Sequence, residues 1–309
     1  QQRTVQNDRV LPIEPTARSL AAFGWSHDDA RWAQGLAEKG KDPVDSLGYD
    51  GPLASLSTHV QNLSDYFKET VAVVTNPAVD REREQEHFST QAVIGPRPPL
   101  KPCEIAQDGC LVLENPVLAG GHARPFLLGA DYRQAAASEG AVLLEDVIAS
   151  FAPERVASLE LANASGESVR SAVERLAEQA IQAVKSGAEL IVLDDTTAFA
   201  QGSGWVDPFL AVARIDATLR ASQTANNPSP NYRRRVGLVV RSAAVRNLHD
   251  TAMLLGLGAD AVAPYLLIEM AVGASTTLSP AAQAARAAMT LRALRIGLEK
   301  VASTTGIHA

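Results

Sequence analysis

The sequence predicts an α/β fold: four βα units forming a rudimentary half of a TIM-like barrel, behind an irregular, mostly helical N-terminal part. Three observations carry this reading. Short apolar runs recur at 156–162, 189–194, 236–241 and 260–263. The stretches between them place apolar residues at helical spacing. Strands alternating with helices at this pitch make right-handed βαβ units on a parallel sheet. The expected division is 1–150 for the helical and loop-rich part and 151–309 for the half-barrel, the two forming one structural domain.

In chain order, Ser26 followed by Asp28 and Asp29 predicts a capped helix start. Residues 62–73 carry apolar side chains at 63, 66, 67 and 71, a helical face. The stretch 95–125 holds prolines at 96, 98, 99, 102, 116 and 125, and predicts a connector or covering arm rather than a core element. After the first strand, 167–185 predicts a helix with Val169, Val173, Leu176, Ala180 and Val184 on one face and Gly187 beyond its end. The run Glu189-Leu-Ile-Val-Leu-Asp is what a strand buried on both faces needs. Helices are expected over 207–221, 244–255 and 265–272. Ser279-Pro280 supplies a capping hydroxyl and a first-turn proline for a long Ala-rich helix.

Bulk properties narrow the function classes. The net charge of −7 is spread without long blocks, whereas a nucleic-acid binder clusters its basic residues, so nucleic acid is not an expected partner. The Arg run 233–235 has no aromatic platform around it and reads as a solvated entry into a strand. No stretch approaches the ~20 apolar residues that cross a bilayer, so no membrane partner is expected. Residues 1–9 are polar, with no signal-peptide core, which suggests a cytoplasmic protein, and the missing initiator Met fits a processed chain or a piece of a longer one. The two cysteines, Cys103 and Cys110, lack a second ligand pair and read as reduced thiols.

Chemistry is sought at strand C-termini, where barrel-like sheets carry their reactive groups. Those ends hold Asp194 and Asp195, then Arg241, then Tyr265, a candidate polar cluster. The bland alternative, which weighs more, has the two carboxylates capping the next turn and pairing with Arg241. No dinucleotide fingerprint, phosphate loop, zincin pair or nucleophile elbow is present. Gly256-Leu-Gly258 precedes a strand, and Gly120-Gly121-His122 follows none. His249, alone on a helix, reads as satisfied by a neighbour rather than as a base. No catalytic residue, cofactor site or metal site is therefore expected in this chain.

Four stretches in order resemble a known family: Ala22-Phe-Gly-Trp, residues 42–57, Asp65-Tyr-Phe-Lys with residues 74–84, and residues 255–269. Together they are similar to the central domain of the large subunit of glutamate synthase. Residues 297–307 resemble the segment leading from that domain into a flavin-binding barrel. The resemblance implies a non-catalytic connecting domain, with a glutamine amidotransferase domain and an FMN-binding synthase domain of the same polypeptide as partners. FMN and an iron–sulfur cluster belong, by the same resemblance, to the full enzyme that makes glutamate from glutamine and 2-oxoglutarate. Asn76-Pro77-Ala78-Val79-Asp80 departs from the family's Asn-Pro-Pro-Ile-Asp, and Asp195-Thr-Thr replaces its Asp-Arg-Gly. Within 74–88, a rigid Asn76-Pro77 turn followed by Asp80, Arg83 and Glu84 gives a candidate interface; a solvated charge run is the alternative. The rival functions are an independent small-molecule enzyme working at the strand ends and a stand-alone interaction module.

Overall fold

The computed structural model describes residues 16–43, 54–58, 61–67, 88–97, 109–122, 129–199, 203–222, 231–273 and 278–305. Two strands, β1 (Ala92–Ile94) and β2 (Leu111–Leu113), pair antiparallel. The main sheet is β3 (Val156–Glu160), β4 (Leu190–Asp194), β5 (Gly237–Arg241) and β6 (Ala261–Ala263), parallel and in sequential order. Around the two sheets run α1 (Ala17–Ala22), α2 (His27–Lys39), α3 (Ala130–Ala137) and α4 (Leu144–Ala149). They are followed by α5 (Val169–Lys185), α6 (Pro208–Ala221), α7 (Leu248–Leu257), α8 (Tyr265–Val272) and α9 (Pro280–Thr305). The parallel, sequential order predicted from the alternation is the one observed.

The apolar runs of β4 and β5 follow from burial on both faces. Leu190, Val192, Val239, Ala261 and Ala263 join Ile94, Leu113, Leu118 and Leu144 in one core. Ile191, Leu193, Leu238, Val240 and Val262 face the other way, under the apolar stripes of α5, α6 and α7. Alternate residues of a strand point to opposite faces, so each strand serves both cores. Gly237 opens β5 because a Cβ there would stand 2.5 Å from Ile94 Cγ2 and 2.7 Å from Gly95 N. The β1–β2 ribbon can therefore close against the sheet only over a residue without a side chain.

Local signals place the helices. Ser26 accepts from Asp29 N at 3.1 Å while Asp29 answers Ser26 N at 2.8 Å, a capping box that starts α2 as expected. Asp207 caps α6, accepting from Phe209 N at 2.9 Å, and Ser168 caps α5. The inward face of α5 is Ala172, Leu176, Ala177, Ala180 and Val184. Val169, expected on that face, is 46% exposed at the first turn instead.

Four further expectations need correction. The helix predicted from residue 62 is a single 3-10 turn, Leu63–Tyr66, with Phe67 extended; residues 68–73 lie outside the described residues. The third helix starts at Leu248, not at 244, because Asn247 caps it by accepting from Asp250 N at 2.9 Å. The stretch read as a covering arm contributes core: Val117, Leu118 and Ala119 are fully buried. Leu118 N donates to Val262 O and Val262 N to Pro116 O, each at 2.8 Å, so this segment lies parallel beside β6. Finally, Arg233 of the basic run is only 2% exposed. It donates to Asp216 at 2.8 Å, Asp260 at 2.9 Å and the carbonyls of Val236 and Gly258, a buried structural cation rather than a solvated one.

Candidate functional site

The structure brings Asp194, Asp195, Arg241 and Tyr265 together at the C-terminal ends of β4 to β6. Register sets the first contact, since Asp194 and Arg241 stand opposite each other in adjacent parallel strands. Arg241 Nη1 donates to Asp194 Oδ2 at 2.8 Å, and the other Asp194 oxygen accepts from Thr196 N at 2.8 Å. The Arg241 guanidinium also donates to Gly121 O at 3.0 and 2.5 Å and lies 5.5 Å from the Tyr265 ring centroid.

Asp195 is fully buried, one residue further on. Its carboxylate accepts from Ser242 Oγ at 2.5 Å, from Ala243 N at 2.9 Å and from Tyr265 Oη at 3.0 Å. Burial pushes its pKa up to about 7, with the Asp194 charge adding to the rise while the Ser242, Tyr265 and Ala243 hydrogen bonds oppose it. Burial, then the Asp195 charge, holds the Tyr265 hydroxyl well above the ordinary phenol range. At this end of the sheet the carboxylates answer neighbouring donors. The arrangement ties the β4 end, the β5 end and the start of α8 into one unit.

Sequence reasoning missed the layer beside it. Gly120 and Gly121 sit at φ +81° and +70°, a left-handed turn that glycine adopts without strain. Gly121 N donates to Glu145 Oε1 at 2.8 Å, and Gly120 N to Tyr132 Oη at 3.3 Å. Next to that turn, His122 lies with Nδ1 3.3 Å from Glu269 Oε1 and Nε2 3.2 Å from Tyr132 Oη. Both the His122 and Glu269 side chains are essentially unexposed, at 0% and 1%. The usable signal was the Gly-Gly-His string in a stretch otherwise read as linker. His249 meets Ser64 O at 3.0 Å, as a neighbour-satisfied histidine should.

Asn76, Pro77, Asp80, Arg83 and Glu84 lie outside the described residues. A cavity of about 870 Å³ opens at the opposite end of the strands, among Ala92, Arg97, Leu255, Asp260, Leu298 and Val301. Among the described residues, no three His, Cys, Asp or Glu side chains gather closely enough to hold a metal ion, and no helix is long and apolar enough to cross a membrane.

Comparison of the sequence with known proteins identifies its family. The profile of the family described as glutamate synthase central domain matches residues 18–309. The ferredoxin-dependent glutamate synthase of Cyanidium caldarium is 29% identical over 262 residues, 84% of this chain and 15% of that protein. Ferredoxin-dependent glutamate synthase 1, chloroplastic/mitochondrial, of Arabidopsis thaliana is 31% identical over 266 residues, 85% of this chain and 15% of its own length. Glutamate synthase [NADH] of Schizosaccharomyces pombe is 31% identical over 256 residues, 82% of this chain and 11% of that protein. The chain thus spans about a seventh of the length of the first two and less of the third. With the family profile covering nearly all of it, the chain belongs to the glutamate synthase central domain family.

Proposed function

We propose that this chain is a non-catalytic connecting domain of a glutamate synthase, holding a glutamine amidotransferase domain and an FMN-binding synthase domain of the same cytoplasmic polypeptide in register. Holding two reaction centres in one geometry raises the chance that a transferred intermediate reaches its target. The observation that carries the reading is how the cluster of Asp194, Asp195, Arg241 and Tyr265 satisfies itself. Asp195 is buried, and the hydrogen bonds and ion pair of Asp194, Arg241 and Tyr265 run to one another and to nearby backbone.

The same proposal treats 1–150 and 151–309 as one structural domain and the sheet as a rudimentary half-barrel. Its support is the sequential parallel order and the extra bridges from Val117 to Val262 and from Ala119 to Leu143. An iron–sulfur cluster takes about four thiolates, and the chain has two cysteines, so its residues do not fit that group. The cluster and the flavin are assigned to the neighbouring domain.

The segment carrying Asn76, Pro77, Asp80, Arg83 and Glu84 remains the proposed contact for coupling. Rim charges fix orientation between partners. Arg83→Ala in the full-length polypeptide is expected to raise glutamine consumed per glutamate formed by roughly twofold or more. An unchanged ratio removes this segment from the coupling role.

A further inference from the structure

Seven large apolar side chains among the described residues are exposed, and six of them lie on one rim. Helix N-termini of a parallel α/β unit stand at the C-terminal edge of the sheet, which fixes where each falls. Val169 is the first residue of α5, Leu210 lies in the first turn of α6, and Phe199 is in the loop from β4 to α6. Tyr66 and Phe67 belong to the segment that docks on the starts of α6 and α7. There Leu63 N donates to Asp207 at 3.1 Å, Ser64 O meets His249 at 3.0 Å, and Arg246 donates to Asp65 at 2.7 Å. Leu56 is tied to the same segment by the Gln61–Ser57 hydrogen bond at 3.1 Å. The seventh, Val112, is in β2.

Phe199 is the most informative of these. It holds a left-handed backbone, φ +64°, the one non-glycine residue among those described to do so. Such a conformation costs an aromatic residue free energy and persists where the surroundings enforce it. The surroundings here are aromatic: Phe23 stacks edge-on against both Phe199 and Trp205, each at 5.5 Å between centroids. The result is a ring packed edge-on against Phe23 and still 46% exposed. The same rim holds Asn163 Oδ1, Thr197 Oγ1 and Trp205 Nε1, buried without a hydrogen-bond partner. Native proteins leave few such atoms, so the polar packing of this rim is incomplete within the described residues.

From this placement we infer that the C-terminal rim, where a barrel enzyme would admit a small molecule, is a docking surface for an apolar face of another folded part of the same polypeptide. The occupant follows from length: relatives that match 84–85% of this chain have about 85% of their own sequence outside the match. The inference rests on the connecting-domain reading and names the face that does the connecting. Rigid aromatic anchors are what such contacts favour.

The test places a photo-crosslinking phenylalanine analogue at Phe199, and separately at Tyr66, in the full-length polypeptide. After irradiation, the joined peptides are identified by mass spectrometry. Both positions are expected to join peptides outside the span corresponding to residues 1–309. Adding Phe199→Ser is expected to cut the Tyr66 product by roughly fivefold, the loss of one interface anchor. Cross-links confined to residues 1–309, cross-links between two copies, or no product would each overturn the inference. The ratio of glutamine consumed to glutamate formed is read on the Phe199→Ser variant. Cross-links to a neighbouring domain with an unchanged ratio keep the docking surface and remove the coupling role instead.

Discussion

Replacing Arg246 with Met is expected to lower the unfolding free energy by about 3–5 kcal/mol, the range for removing one partner of a buried ion pair. Arg246 is 4% exposed and joins distant parts of the chain. It donates to Asp250 at 2.9 Å, Asp65 at 2.7 Å, Gly24 O at 3.0 Å and Ser64 Oγ at 3.3 Å. Burial pulls its pKa down, yet the Asp250 and Asp65 carboxylates more than reverse this, so it stays charged. The side chain of Asp250 is entirely unexposed, and without Arg246 its charge would be stranded. Urea unfolding of the single and double variants checks this. In an Asp250→Asn background the same Arg246→Met change is expected to cost at least about 1 kcal/mol less, since only the partly exposed Asp65 carboxylate, and no longer the fully buried Asp250, loses its partner. A loss below about 1 kcal/mol for the single variant would place the pair among weak surface contacts.

Stability is expected to fall as pH rises from about 4 to 7 through Asp195. The folded-state pKa is about 7 against an ordinary 3.8, so over this window the folded chain keeps a proton that the unfolded chain has released. The unfolded state then binds fewer protons, and stability decreases with pH until the folded carboxyl also ionises. About three pH units at ~1.4 kcal/mol each put the full effect on the order of 4 kcal/mol. Asp195→Asn removes the titration at nearly the same shape: its oxygen can accept from Tyr265 and Ala243 at the Oδ1 position, and the cost of setting its amide against the Ala243 N–H at the Oδ2 position does not vary with pH. The difference in unfolding free energy, variant minus parent, is expected to grow by that amount between pH 4 and pH 8. A difference that stays constant with pH would mean that Asp195 ionises as an ordinary carboxyl.

Much of this was legible in the residues, and the exceptions share a cause. β4 and β5 are unbroken apolar runs because both faces are covered, and Ser26, Asp207 and Ser279 announce their helices by local chemistry. Local signals failed where the partner is remote. Pro116 to Ala119 is too short to show a period, and its strand-like role is set by Val262. Three arginines in a row look solvated until a 3-10 turn aims Arg233 at Asp216 and Asp260. His122 finds Glu269 across 147 residues, and Arg246 finds Asp65 across 181, distances at which spacing carries no information. Asp194 and Arg241 were visible because strand ends are positions that sequence alone can locate.

The most direct test of the connecting-domain account is the turnover number of the full-length polypeptide carrying Tyr265→Phe. The substitution deletes only the hydroxyl that Asp195 accepts and keeps the ring beneath Arg241. If the strand-end cluster is structural, glutamate formation at saturating glutamine and 2-oxoglutarate should stay within about twofold of the parent, since no proton transfer passes through this group. If the cluster is instead a catalytic site, losing one of its titratable groups should slow the reaction by roughly a hundredfold or more. A fall of that size, with flavin content and melting temperature unchanged, would contradict the account.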